Sequence, residues 1–415
     1  MKHSANKIIA ISAGREFYKD KGEPFANDIA YLNYGLLGLC TMLYEHGLDV
    51  EMYHGYEGPL PDCSHILLSI PSNYSLSWCE KFCETVPPGP ILIVGGRWVV
   101  DGNVEWLKQK MPRVDMFIEG FGESKIASLF GFDMPDGSTQ CFPHLEYPLL
   151  HNYLLYQPII EVSRGCGSGC MFCADRCNKR LSNKSVPQII TEMNYLDSLY
   201  GNDYKLYFEA PHFIFEKEWV DSYYSAVIHR HRVVPWRCTS RVETVPVSDV
   251  ELSKLARSGL KIIDVGLESA SPTQLMRMHK SRHPDEYLKK ADLLLRQCHK
   301  YGIWIKLNIL LYVGETHDTL RETENWLLER KELIKGISCA NFMVYRNSNT
   351  ANISIADKEK FDKYGFSGVN LSSEIDLQEA LYLCHSLTEK LTSLKDYYDL
   401  KEHSYLRRDR LNNKF

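Results

Sequence analysis

Short runs of β-branched and other apolar residues recur along the whole chain. Between them lie longer stretches in which apolar residues return every three or four positions. The first pattern predicts strands and the second amphipathic helices. In the later part of the chain the strand-like runs are QPIIEVS (157–163), YKLYFEA (204–210), VVPWRCTS (233–240), KIIDVGLE (261–268), IWIKLNILLYV (303–313) and SCANFMVY (338–345). The helical stretches between them, such as SVPQIITEMNYLDSLYG and PDEYLKKADLLLRQCHKYG, often end on glycine, a helix stop signal. Strand alternating with helix predicts parallel βαβ units, and this many units a partial (βα)6 barrel open on one side. Chemistry in such folds sits beyond the C-terminal ends of the strands.

The earlier part alternates in the same way. KIIAIS (7–12), LDVEMYH (48–54), HILLSIP (65–71), PILIVGG (90–96) and VDMFIEGFGES (114–124) predict a doubly wound, Rossmann-like α/β domain. The expected division is a Rossmann-like domain over 1–130, a linker over 131–155 rich in Pro, Gly and polar residues, the barrel over 156–345, and a C-terminal capping region over 346–415 with a helix near 373–396.

At 415 residues the chain has room for two full cores. Its apolar and charged fractions, 44% and 24%, are those of a globular protein. A net charge of −5 gives no sign of nucleic-acid or membrane binding, and no apolar run approaches the roughly 18 residues of a membrane span. The N-terminus lacks a small-residue cleavage site and reads as a first strand rather than a signal peptide. Thirteen cysteines scattered over the chain point to a reducing cytoplasm. Cys79 and Cys83, four apart on a helical stretch, suit a thiol-lined core face better than a metal pair.

The run EVSRGCGSGCMFCADRC sets Cys166, Cys170 and Cys173 in a C-x3-C-x2-C spacing directly after the first barrel strand. Thiolates hold iron–sulfur clusters, and three ligands on a four-iron cluster leave one iron open to a substrate or cofactor. The alternatives are buried thiols, or a zinc site completed by Cys177; zinc usually draws on two separated pairs of ligands.

This spacing and position resemble the cluster loop of the radical S-adenosylmethionine (SAM) superfamily. The stretch 235–280 is similar to its Elp3/MiaB-like subgroup: a strand ending in Arg241, a helix end at Ser258-Gly259, the run Gly266-Leu267-Glu268-Ser269, and Lys280. LLYVGET keeps Gly314, Glu315 and Thr316 of the subgroup's fifth strand but has Leu311 and Val313 where Gly and Pro are usual. The resemblance implies an open-iron [4Fe–4S] cluster on the three cysteines, with SAM bound at the strand ends. It gives Glu209 to the SAM ammonium, Glu268 and Ser269 to the ribose, Gly314 to close approach of the nucleoside, and Arg241 to the methionine carboxylate or the substrate. Tyr312, with Asn308, Tyr345 and Arg346, is a candidate to touch substrate. It also implies a small-molecule substrate and an electron donor such as flavodoxin or ferredoxin.

In the first domain NYGLLGLCTMLYEHGLDVEMY, ILIVGGRWV and VDMFIEGFGESKIASLF resemble, in order and spacing, the cobalamin-binding domain that precedes many radical SAM barrels. Gly95 and Gly96 would let the corrin or its tail approach the backbone. The D-x-H-x-x-G motif that supplies a lower-axial histidine is missing, and Arg97 and Trp98 follow the glycine pair. Cobalamin binding and a purely structural domain both stay open. The resemblance implies a radical SAM enzyme, with cobalamin-dependent C-methylation of a small metabolite or natural-product intermediate as the leading activity. The alternative is radical rearrangement, coupling or 3-amino-3-carboxypropyl transfer over a degenerate cobalamin domain. A non-enzymatic sensor is the reading from another class.

Overall fold

The computed structural model describes residues 7–14, 32–56, 58–134, 144–176, 178–348 and 353–403. The middle of the expected linker (135–143), Cys177 and the basic tail (404–415) lie outside the described residues. The chain divides into two compact units. One gathers Met1–Tyr156, Tyr345–Asn349 and Lys358–Ser367; the other gathers Gln157–Val344, Thr350–Asp357 and Gly368–Phe415.

The first unit runs β1 (Lys7–Ser12), α1 (Tyr34–Glu45), β2 (Asp49–His54), β3 (His65–Ser69), α2 (Leu76–Thr85), β4 (Ile91–Gly95), α3 (Arg97–Gly102), α4 (Val104–Lys110), β5 (Met116–Phe117) and α5 (Glu123–Leu129). Its sheet is parallel, in the order β2-β1-β3-β4-β5. Ile8, Ile9, Ala10 and Ile11 are fully buried, as a central strand covered on both faces requires. The order reverses at β1 and β3, the crevice where doubly wound sheets bind ligands. There Asn33 caps α1 through Oδ1, and its Nδ2 donates to Ser12 Oγ (3.1 Å) and Ser69 Oγ (3.0 Å). Cys79 and Cys83 are buried on α2, and burial pushes the Cys83 thiol up to about 12.

The second unit runs β6 (Ile159–Glu161), α6 (Val186–Tyr200), β7 (Leu206–Glu209), α7 (Lys217–Val227), β8 (Trp236–Arg241), α8 (Asp249–Arg257), β9 (Leu260–Glu268), α9 (Pro272–Arg277), α10 (Pro284–Lys300), β10 (Trp304–Leu311), α11 (His317–Leu328) and β11 (Gly336–Asn341). Its six strands are parallel and stand in chain order from β6 to β11. Among the described residues β6 and β11 are edges, so the sheet is an open, partial barrel. The faces differ. On β10, Ile305, Leu307, Ile309 and Leu311 are buried, whereas Lys306, Asn308 and Leu310 are partly exposed. Register carries the second set across the sheet: Asn308 stands beside Gly266 and Ser338, Arg241 beside Gly266, and Glu161 beside Glu209. One face therefore packs on helices, and the other is polar.

The end of the chain departs from the sequence expectation. SCANFMVY is not one strand: β11 ends at Asn341, and β12 (Met343–Tyr345) pairs instead with β13 (Phe366–Gly368) after α12 (Lys358–Tyr364). Within the 346–415 region expected to be a cap, residues 346–349 and 358–367 group with the first unit. The reason is aromatic. Trp98, 1% exposed, packs edge-on against Tyr345 (5.6 Å) and Phe366 (6.3 Å), and Arg346 lies 4.6 Å from the Trp106 ring. Tyr345 and Arg346, expected as substrate contacts, are both partly exposed and pack their side chains on rings of the first unit. Of the rest, α13 (Leu377–Leu391) packs on β11, followed by α14 (Leu394–Glu402).

Gly96 has φ +99° and ψ 174°, a region essentially open to glycine alone. A Cβ there would lie 2.7 Å from Ile70 O and Ser69 Oγ. Gly96→Ala is expected to lower the stability of the ligand-free protein by about 1–3 kcal/mol, read as a fall in the urea midpoint. An unchanged midpoint would remove this structural role.

Candidate active site

The cysteine loop is an excursion closed at its base. Glu161, the last residue of β6, accepts two hydrogen bonds from Arg164, Nε to Oε1 and Nη2 to Oε2, each 2.8 Å, and both residues are buried. Leu181 N–H donates to Arg164 O (2.8 Å), Lys184 N–H to Val162 O (2.7 Å), and Ser163 Oγ to Leu181 O (2.7 Å). Within this clamp Cys166 N–H donates to Asn178 O (3.1 Å). Gly165, at φ +68°, lies so close to the returning strand that a Cβ would meet Lys179 O at 2.1 Å.

The three thiols sit at different depths: Cys170 is buried, and Cys166 and Cys173 are partly exposed. Arg241 Nη1 lies 3.1 Å from Cys170 Sγ, and its Nη2 donates to Glu243 (2.8 Å) and to Lys280 O (3.2 Å). The guanidinium, expected to face SAM or substrate, is thus held at the cluster loop. His212, which follows β7, places Nδ1 3.8 Å from Cys166 Sγ and bonds Thr244 Oγ1 through Nε2 (2.9 Å). Burial, aided by the charges of Arg241 and Arg180, pushes His212 down to about 4, so the ring is neutral. No group of three or more His, Cys, Asp or Glu among the described residues converges on a single metal ion. Three thiols on one glycine-bent loop, beside a guanidinium that favours thiolates, suit a cluster, and Cys177, the fourth ligand of the zinc alternative, lies outside the described residues.

The remaining candidates divide into groups that face the polar side and groups the fold itself uses. Glu209 has no hydrogen-bond donor on its carboxylate among the described residues. Burial, then the neighbouring Glu161 and Asp264 carboxylates, push it up to about 7. Glu268 adopts a left-handed φ of +69° and accepts from Lys280 Nζ (3.1 Å), whose side chain is 3% exposed. Gly266 leaves room for that pair: a Cβ there would stand 2.5 Å from Glu268 Oε1 and 2.9 Å from Lys280 Nζ. Ser269, expected at the ribose, turns the other way. It is buried, meets Thr323 Oγ1 at 3.0 Å and accepts from Ser271 N–H. Gly314 is occupied by the protein too, its carbonyl taking Arg277 Nη1 and its N–H donating to Leu371 O, both at 2.5 Å. Tyr312 is 7% exposed, its ring against Phe342 (4.8 Å) and Phe172 of the cysteine loop (6.4 Å).

His212, Thr244, the Glu161–Arg164 clamp and Arg277 escape sequence reading. Their only signals are single polar residues just past strand or helix ends, which look like solvated rim. In the first unit the β3–α2 loop buries Ser72 Oγ, Asn73 Nδ2 and Ser75 Oγ with no hydrogen-bond partner among the described residues. Buried polar atoms without partners are costly, and these follow the switch-point strand. They fit a polar ligand with amide or hydroxyl groups. Gly95, by contrast, makes only ordinary contacts with Ile118.

Residues 160–327 match the radical SAM superfamily. OxsB, a cobalamin-dependent S-adenosylmethionine radical enzyme solved with aqua-cobalamin and S-adenosylmethionine, has a TM-score of 0.66 and 16% identity over 92% of this chain. The chain spans 66% of OxsB, just under two thirds of its length. TsrM from Kitasatospora setae, a radical S-adenosylmethionine methyltransferase solved with cobalamin and a [4Fe–4S] cluster, has a TM-score of 0.67 and 12% identity over 92% of this chain and 91% of its own. At such identities the likeness is one of fold. No curated protein matches the sequence.

Removing the Glu268 carboxylate leaves Lys280 buried and unpaired. Glu268→Ala is therefore expected to cost about 3 kcal/mol of stability while the reconstituted protein keeps its iron. Urea denaturation and iron analysis read the two effects, and an unaltered midpoint would mean the pair is not held as described.

Proposed function

We infer that this chain, a radical SAM protein with the fold of the cobalamin-dependent enzymes of that superfamily, cleaves SAM reductively. We infer further that it acts on an unactivated carbon of a small metabolite or natural-product intermediate, most simply by C-methylation. The observation that carries the reading is the clamped loop at the C-terminal mouth of the sheet, with Cys170 Sγ 3.1 Å from the Arg241 guanidinium. When bound, a cluster on Cys166, Cys170 and Cys173 together with SAM supplies a carbon-centred radical, and cobalamin supplies a transferable methyl group.

The protein's share is to bind, orient and set charge. Arg241 would sit beside the Cys170 thiolate and disperse its charge, and neutral His212 stands at longer range from Cys166. Glu209, whose carboxylate has no hydrogen-bond partner among the described residues, suits an ammonium on the polar face. Glu268, fixed by Lys280 and its own backbone, suits ribose hydroxyls. Asn308 and Ser338 extend the polar face toward a substrate. Ser72, Asn73 and Ser75 suit the amide-bearing periphery of a corrinoid. The second reading, radical chemistry without methyl transfer, draws on one observation: the fold itself uses Gly96 and buries Trp98.

Two measurements test this. In turnover with both cofactors, 5′-deoxyadenosine with S-adenosylhomocysteine is the expected pair of products. Deoxyadenosine alone supports the second reading, as does methylthioadenosine alone, and a mixture that contains none of these products would end the enzyme reading. SAM affinity carries a pH signature as well. Only ionised Glu209 pairs with an ammonium, and its pKa is pushed up to about 7. Affinity should therefore rise about tenfold per pH unit as pH climbs toward 7, then level off. Glu209→Gln should bind more weakly with a flat profile, and a variant retaining the slope would take Glu209 out of the site.

A further inference from the structure

His212 is buried beside the cysteine loop, 6% exposed, and its side chain takes no part in the clamp that closes the loop. Its segment is fastened on both sides. Phe213 N–H donates to Thr239 O (3.0 Å), and Ser240 Oγ to Phe213 O (2.7 Å). From the returning limb of the loop, Arg180 Nε donates to His212 O (3.2 Å) and Asn183 Nδ2 to Ile214 O (2.9 Å). Phe213 is fully buried, its ring against Phe215 (4.7 Å) and Trp219 (5.0 Å). The imidazole is thereby held with Nδ1 3.8 Å from Cys166 Sγ and Nε2 2.9 Å from Thr244 Oγ1.

The hydroxyl protons decide what the ring offers that sulfur. Ser240 has one, which goes to Phe213 O, so toward Thr244 (3.1 Å) it can only accept. Thr244 also has one, with three acceptors in reach: His212 Nε2 at 2.9 Å, Ser240 Oγ at 3.1 Å and Arg241 O at 3.3 Å. A thiolate that holds iron has no proton to give, so an Nδ1 facing it must carry one. With a single ring proton Nε2 is then bare, and it is the nearest of the three acceptors for the Thr244 hydroxyl. Thr244 thus fixes the tautomer, in the way outer partners orient ligand groups at metal sites. The cysteines are served differently as a result. Cys170 has the Arg241 cation at 3.1 Å, whereas Cys166 has two uncharged donors, the Ser168 hydroxyl at 3.0 Å and the His212 N–H.

We propose that His212 acts through Cys166: held by Thr244 as the Nδ1–H tautomer, it donates to the Cys166 sulfur and raises the reduction potential of the cluster bound there. The proposal rests on the radical SAM reading above. Reduction adds one electron and so negative charge to the sulfurs, and an N–H aimed at sulfur stabilises the reduced state more than the oxidised one. No bond is made or broken at His212.

The test uses the reconstituted full chain, with iron content checked, titrated with titanium(III) citrate and read by electron paramagnetic resonance of the reduced cluster. His212→Leu removes the donor. His212→Asn, close to Leu in shape, returns an amide N–H near the place of Nδ1. At the potential that half-reduces the parent, the ratio of reduced to oxidised cluster should fall about tenfold in His212→Leu, a downward shift of about 59 mV for one electron. His212→Asn should recover much of that loss. Thr244→Val leaves the ring but takes the hydroxyl from Nε2, and should shift the same way by less. A parent potential kept by His212→Leu, or an Asn variant as low as the Leu variant, would overturn the proposal. If His212→Leu takes up no iron, an unchanged potential in Thr244→Val overturns it alone. A parent that holds no [4Fe–4S] cluster would instead overturn the radical SAM reading beneath it.

Discussion

The buried Glu161–Arg164 pair is the interaction on which the site depends. A loop that carries three thiols and bends through left-handed glycines has little reason of its own to hold one shape. Here its entry and exit are fastened to each other, by the two 2.8 Å bonds of Arg164 on Glu161 and by backbone bonds from Leu181 and Lys184 back to the end of β6. A buried charge pair is costly unless both partners are fully bonded. The bidentate geometry meets that condition and fixes where the loop leaves the sheet, and so where Cys166, Cys170 and Cys173 stand.

The polar face of the sheet follows the same economy of charge. Asp264 is bonded by Arg237 and lies 3.3 Å from Lys306; Glu268 is bonded by Lys280, and Glu161 by Arg164. Glu209 is the carboxylate left over, raised by burial and by its acidic neighbours. Among the described residues no donor bonds the Glu209 carboxylate, while the carboxylates around it are paired, and the proposed ammonium site rests on that contrast. The cysteine loop and this carboxylate lie at the ends of adjacent strands, β6 and β7, so a ligand that meets both is held at the mouth of the barrel.

The parallel sheets were legible because strands buried on both faces show as apolar runs, as KIIAIS and KIIDVGLE do. The cysteine triplet was legible because its chemistry needs that residue type at that spacing. What escaped depends on neighbours distant in sequence. Ser269 follows Glu268 in a run that looks like a ribose clamp, but Thr323, far along the chain, turns it into the fold. Gly96 looks like a corrin approach, and Ser69 and Ile70 already fill the space beside it. Residues 345–349 and 358–367 follow the barrel in sequence, but the rings of Trp98 and Trp106 draw them into the other unit. Single polar residues such as His212 carry no periodicity at all, so only the folded chain reveals what they touch.

The central claim is that the three thiols hold a cluster whose fourth iron is open to SAM. Electron paramagnetic resonance of the reduced, reconstituted protein tests it directly. The account predicts the signal of a reduced [4Fe–4S] cluster, with g values that shift when SAM is added in the absence of substrate. A spectrum that SAM leaves unchanged, in protein carrying a full complement of iron, would contradict it.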